Sequence, residues 1–172
     1  MSRAAKLKVF LAGRVALKRG RVVVDEKCFP GRQGRLLFAY LVAEQDRPVP
    51  RDELADALWG DTPPATWEKA LTVLVSKLRG LLTECGVDGA TALTSAFGCY
   101  RLDLPEGTWV DVIAAADLVS EAEAALAADD LKRARAVAAQ SASLARPLFL
   151  SERKATGSMR SGVSYRTSFC AR

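Results

Sequence analysis

Apolar and polar positions change rhythm several times along the chain, and each rhythm predicts a different element. In residues 6–26, Leu7, Val9 and Leu11 alternate with Lys6, Lys8 and Phe10, the period of a half-buried strand. Val15 and Leu17 repeat the alternation, Lys18-Arg19-Gly20-Arg21 supplies a turn, and Val22 and Val24 continue as a third strand. A small antiparallel sheet is expected. From 31 to 45 the spacing becomes helical: Leu37, Tyr40, Leu41 and Glu44 stand at i, i+3, i+4 and i+7, with Leu36 beside them. Pro48 and Pro50 close that segment. A shorter helix over about 51–59 carries Asp52 and Glu53 in its first turn, where the dipole favours them, and Leu54 and Leu58 inside.

The third helix is expected to begin near Thr62-Pro63-Pro64, to cover about 64–85 and to stop at Gly86. Leu71, Val75, Leu78 and Leu82 form one straight stripe, widened by Trp67, Leu74 and Leu81. At 100° per residue the opposite side holds Lys69, Thr72, Val73, Ser76, Gly80 and Thr83, with Lys77 and Arg79 on the shoulders. Its only carboxylates, Glu68 and Glu84, lie near the ends. Two short runs, 92–96 and 99–102, then flank Phe97-Gly98 and read as a β-hairpin. Three helices leading into a hairpin make the winged helix-turn-helix plan, an α+β fold.

After Pro105 the chain becomes Ala-rich. Val112, Ala116, Val119 and Leu126 suggest one helix over about 111–128; Leu131, Ala134, Val137, Ser141 and Leu144 suggest a second over about 130–145. Such an αα-hairpin is the unit of helical-repeat proteins and must lean on a neighbour to bury its apolar faces. The expected organisation is a winged helix over 1–106, a helical hairpin over 107–146 and a disordered tail over 147–172, where Ser, Arg, Gly and Thr dominate.

Composition narrows the function. The longest uninterrupted apolar run, Leu36 to Ala43, is too short for a membrane span, and Lys6, Lys8 and Arg14 interrupt the N-terminal one. A cytoplasmic protein without membrane partners is therefore expected. The sequence contains no histidine, which removes Ser-His and Cys-His nucleophile pairs, and its four cysteines form no C-x-x-C pair. Neither a metal site, a cofactor nor an enzyme is expected. Net charge is +5, unevenly spread: residues 1–35 hold ten Lys/Arg against two Asp/Glu, whereas residues 36–109 hold six against eleven. Charge alone is thus weak support for a nucleic-acid partner, and a protein-interaction module remains the alternative.

Longer runs carry a resemblance. Gly31-Arg32-Gln33-Gly34-Arg35-Leu36-Leu37-Phe38-Ala39-Tyr40-Leu41 is similar to the first-helix signature of the Streptomyces antibiotic regulatory proteins (SARPs). Arg47 to Leu54 and Ala57-Leu58-Trp59 follow in that family's order, and Ala70 to Arg79 resembles the recognition helix of OmpR/PhoB-type winged helices. The resemblance spans about 6–104. It implies a transcriptional regulator binding double-stranded DNA, paired as a homodimer on direct repeats. It also implies that the 60–65 loop corresponds to a segment that touches RNA polymerase in some relatives. Asp111 to Ala145 resembles the first helical pair of a tetratricopeptide-like bacterial transcriptional activation domain. Beyond Leu150 the family pattern is lost, which suggests a truncated product or displaced frame.

On the recognition helix, Lys77 is expected to donate to guanine, Thr72 and Ser76 to bond bases or phosphates, Val73 to touch a thymine methyl and Lys69 to meet a phosphate. Arg79 is open to two roles, clamping a phosphate or pairing with Glu53 or Asp56. Family hairpins place an Arg just before the Gly turn; here Ser95 and Ala96 stand there, leaving Thr94, Ser95 and Arg101 as wing candidates. Arg32 and Arg35 are candidates for phosphate contact. Tyr100, Trp59 and Trp67 are expected to be core.

Overall fold

The computed structural model describes residues 5–151. The alternating N-terminal segment forms β1 (Leu7–Phe10), β2 (Ala16–Arg19) and β3 (Val22–Val24), followed by one 3-10 turn, Glu26–Cys28. Adjacent strands pair antiparallel, with Val9 opposite Leu17 and Leu17 opposite Val24. These three side chains point into the core, as a period of two requires. Helix α1 covers Gly31–Ala43, β4 is the two-residue strand Val49–Pro50, and α2 covers Arg51–Trp59.

Helix α3 is Trp67–Glu84. It starts later than the 62–64 cap expected from sequence. Residues preceding a proline are pushed out of helical geometry, so Thr62 and Pro63 stay outside the helix, and a turn from Trp67 N–H to the Pro64 carbonyl (2.9 Å) comes first. The helix stops as expected. Gly86 takes φ +72, its N–H donates to Thr83 (2.8 Å), and the Val87 N–H donates to Leu82 (3.0 Å), a Schellman cap. A short helix α4 (Gly89–Ala92) then leads into β5 (Leu93–Ala96) and β6 (Cys99–Leu102).

That hairpin is a three-stranded sheet rather than a lone pair, because β4 adds to β6 with Val49 opposite Tyr100. Two residues are too few to show alternation, so β4 left no trace in the sequence. The same is true of β7 (Trp109–Val110), which pairs parallel with β1 and completes a four-stranded sheet in the order β3-β2-β1-β7. The chain crosses the 106/107 boundary while still adding to the N-terminal sheet.

One core joins these parts. Leu37, Phe38 and Leu41 from α1, Leu54 and Leu58 from α2, and Leu71, Val75, Leu78 and Leu82 from α3 meet Leu93, Tyr100 and Leu102 of the hairpin and Val9 and Leu17 of the sheet. At roughly 1.5–3 kcal/mol per buried large apolar side chain, this interior holds α3 rigidly.

Helices α5 (Asp111–Ala127) and α6 (Leu131–Ser151) form the expected hairpin. The inner face of α5 differs from expectation: Ala115, Leu118, Ala122 and Ala125 face inward, whereas Ala116, Val119 and Leu126 are exposed. Alanines on the contact side let the two helices approach closely, and the Ser141 hydroxyl donates to the Ala115 carbonyl across the seam (2.9 Å). In α6, Val137 and Ser141 are buried as expected but Leu131 is exposed. Helix α6 also continues past Arg146 to Ser151, since an established helix propagates one hydrogen bond per residue at little entropic cost. The expected tail from 152 onward lies outside the described residues. No helix among the described residues is long and apolar enough to cross a membrane.

Candidate nucleic-acid interface

The amphipathic spacing of α3 buries one side and leaves the other bare. Lys69, Thr72, Val73, Ser76, Lys77, Gly80 and Thr83 are all exposed, Val73 to 53%. The Ala-rich hairpin does not cover them; α5 packs instead on β1 and β7. Neither Lys69 nor Lys77 joins an ion pair among the described residues. The Thr72 hydroxyl donates back to the Glu68 carbonyl (2.9 Å), which fixes its rotamer. Gly80 has open space around it, since an added Cβ would meet nothing within 4 Å. Its small size answers no packing need inside the chain.

Of its two expected roles, Arg79 does not take the internal one among the described residues: it forms no ion pair with Glu53 or Asp56. Its Nε donates to the Leu93 carbonyl at the start of β5 (2.8 Å), tying the recognition helix to the wing. Glu53, one of its expected partners, is occupied elsewhere. It accepts from both Nη atoms of Arg47 and from the Tyr40 hydroxyl (2.6 Å), which locks α1 to α2. Arg47's hydrogen bonds hold the Glu53 carboxyl below the usual carboxylate range. Burial, reinforced by the hydrogen bond to Glu53, pushes the Tyr40 phenol up to about 12.

Gly89 places the wing. A Cβ there would lie 2.0 Å from the Arg79 carbonyl oxygen, so only glycine lets α4 approach α3 this closely. On the wing, Thr94 and Ser95 are exposed and Arg101 pairs with Asp103 (2.8 Å). Arg32 is exposed at the start of α1, while Arg35 pairs with Glu26 (3.2 Å). Arg35 lines a hollow with Arg14, Asp25 and Lys27 that shares no residue with the hollow beside α3. Tyr100 is buried, and Trp59 and Trp67 pack half-buried on the core, as expected.

The structure adds Arg51 to this surface. With Glu68, Lys69, Thr72 and Val73 it lines a shallow hollow between α2 and α3. Its guanidinium carbon stands 5.4 Å from the Tyr100 ring centroid, and its Nε is buried without a partner. Its backbone N–H donates to the Gly98 carbonyl (3.1 Å), so one residue joins α2, the wing and the recognition helix. In the sequence Arg51 stands only at the start of a helix, because nothing local reveals the β4–β6 pairing that places it.

Three helices, the third with an open outer face, and an attached β-hairpin make the winged helix-turn-helix fold. Residues 30–102 match the family "Transcriptional regulatory protein, C terminal". The chain is 39% identical over 74 residues to the transcriptional regulatory protein EmbR of Mycobacterium tuberculosis, covering 43% of this chain and 19% of EmbR. It is 40% identical over 104 residues to the regulatory protein AfsR of Streptomyces coelicolor, covering 60% of this chain and 10% of AfsR. The solved structure of M. tuberculosis EmbR in complex with a low affinity phosphopeptide superposes with a TM-score of 0.66 at 28% identity, over 84% of this chain and 36% of that one. The chain is therefore SARP-like, with an OmpR/PhoB-type winged helix, and spans about a fifth or less of the length of these two regulators.

Proposed function

We propose that this chain binds double-stranded DNA in a sequence-dependent way and regulates bacterial transcription, acting in the cytoplasm with α3 in the major groove. One observation carries the reading. Among the described residues the outer face of α3 is open and bears two lysines in no ion pair, and the helix has no carboxylate between Glu68 and Glu84, although residues 36–109 are acidic overall. Three acids of that region, Glu44, Glu53 and Asp103, are in internal ion pairs.

A major groove about 12 Å wide admits one helix and presents distinct donors and acceptors at each base pair. Lys77 would donate to guanine O6/N7, Ser76 would meet a base edge, and Val73 would touch a thymine methyl. Thr72, whose hydroxyl proton is committed to Glu68, is left as an acceptor. Lys69 and Arg51 flank the helix and suit phosphates, which supply affinity and register but no sequence information. Thr94, Ser95 and Arg101 would follow along the wing, and Arg32 is free to meet a more distant phosphate. Arg35 is weaker in this role because Glu26 offsets its charge. Arg79 acts through the wing, by holding Leu93. The helices α5 and α6 are read as part of a transcriptional activation domain, with exposed Val119, Leu126 and Leu131 as the face its further helices would cover. Pairing on direct repeats and contact of the 60–65 loop with RNA polymerase belong to the same reading.

Selection of bound sequences from a random duplex pool, followed by titration of the enriched duplex at several salt concentrations, tests it. An enriched motif is expected, together with log Kd rising linearly with log salt, by roughly 0.9 per phosphate neutralised. No enrichment, and no binding to duplex DNA even at low salt, would overturn the assignment.

A further inference from the structure

The wing tip is unusual for a two-residue hairpin turn. Phe97 and Gly98 both take positive φ, +50 and +76. Gly98 is at ease there, but position 97 normally calls for Asn, Asp or Gly, and a bulky aromatic residue seldom adopts a left-handed backbone. Nothing among the described residues compensates: the Phe97 side chain is fully exposed, at 105%, and is not part of the core. A strained and solvent-facing aromatic ring points to a contact outside the chain.

Its position says which contact. The Gly98 carbonyl accepts from the Arg51 N–H, and Arg51 lines the hollow with Lys69, Thr72 and Val73, so the tip stands beside the N-terminal half of the open α3 face. With α3 seated in the major groove, Arg51 and Lys69 meet the phosphate ridge and the tip reaches the groove beyond it. Ser95, Ala96 and Cys99 around the tip are small and uncharged, and Arg101, which lines a hollow with Phe97, is paired with Asp103, so the tip has no unpaired cation among the described residues with which to read a narrow A-tract. An aromatic side chain reads a different property, the ease with which a base step opens.

We propose that Phe97 is an apolar wedge that enters the minor groove flanking the major-groove site and leans on a deformable pyrimidine–purine step. This rests on the DNA-binding reading above and adds a specificity determinant to it. The operator should then contain a TA or CA step at a fixed distance from the bases read by α3, at a position no polar side chain touches. The wedge carries no charge, so it should contribute affinity without altering the salt dependence.

The test uses the full chain, the duplex recovered by selection from a random pool, and that duplex carrying 2-aminopurine at each flanking position in turn. The parent should raise 2-aminopurine fluorescence at one step. F97N, which relieves the backbone, should abolish that signal and weaken binding about tenfold, with the salt slope unchanged and the thermal midpoint not lowered. F97L should retain part of both the signal and the affinity. If the parent binds in a salt-dependent way but F97N matches it, or no position brightens, the wedge is wrong and DNA binding stands. A lowered midpoint in F97N would assign Phe97 to folding and would also overturn the wedge, as would parental DNA affinity in F97N combined with loss of a protein contact. If the parent binds no duplex, both readings fall together.

Discussion

The outer face of α3 and the joint at the start of α5 are both polar patches, yet they do opposite work. At the joint, Asp111 is 4% exposed and its carboxylate accepts from the backbone N–H groups of Leu11 (2.9 and 3.0 Å), Ala12 (2.9 Å) and Val112 (2.8 Å). Its hydrogen-bonding capacity is consumed inside the chain, fastening the helical hairpin to the end of β1. On α3, Lys69 and Lys77 have no ion-pair partner among the described residues, and Ser76 and Val73 face solvent. Glu53 with Arg47 and Tyr40 belongs with the joint, and Arg79 with it too, despite lying on the recognition helix. Polar residues whose partners lie inside the chain build the frame. Those left open are available to a ligand.

That distinction can be broken by experiment. The largest expected effect is from Asp111→Ala, which strands buried backbone donors and should cost about 2–3 kcal/mol, read as a lowered denaturation midpoint. A variant as stable as the parent would show that the joint is dispensable. Lys77→Ala should do the reverse. It should weaken binding to the selected duplex by about 1–3 kcal/mol and blur preference at one base pair, with stability changed by no more than about 0.5 kcal/mol. Equal binding to every sequence before and after the change would remove Lys77 from the readers.

Gly80→Ala sharpens the contrast further. An exposed helix interior with room for a methyl should gain up to about 1 kcal/mol in stability, and weaker duplex binding in the same variant would show that DNA occupies the space the methyl fills. A smaller effect is expected from pH acting on the Tyr40–Glu53–Arg47 cluster. The Glu53 carboxyl is held below its ordinary range, so its contribution is present at neutral pH and is lost as pH falls through the folded value. The Tyr40 phenol is raised from 10.0 to about 12, so its contribution holds below 10 and is lost as pH rises between those values. Tyr40→Phe should flatten the alkaline limb of a stability–pH curve; an unchanged limb would show that Tyr40 is not its source.

Much of this was legible in the order of residues alone. Leu71, Val75, Leu78 and Leu82 announce a buried stripe, and geometry then obliges Lys69, Thr72, Ser76 and Gly80 to face away, because a helix has a fixed angular period. The alternation of Leu7, Val9 and Leu17 and the Phe97-Gly98 turn are equally local signals. Arg51, Arg79 and Asp111 were a different matter. Each acquires its role from a partner distant along the chain: Tyr100 and Gly98, Leu93, and Leu11 with Ala12. The strands β4 and β7 that bring two of these meetings about are only two residues long, too short to show any period. On α5, Val119 and Leu126 were as apolar as a core stripe should be, but close helix approach favoured the alanines instead. Periodicity settles which way a side chain points from its own element, whereas only the assembled packing settles what it meets there, because that depends on which elements close the remaining space.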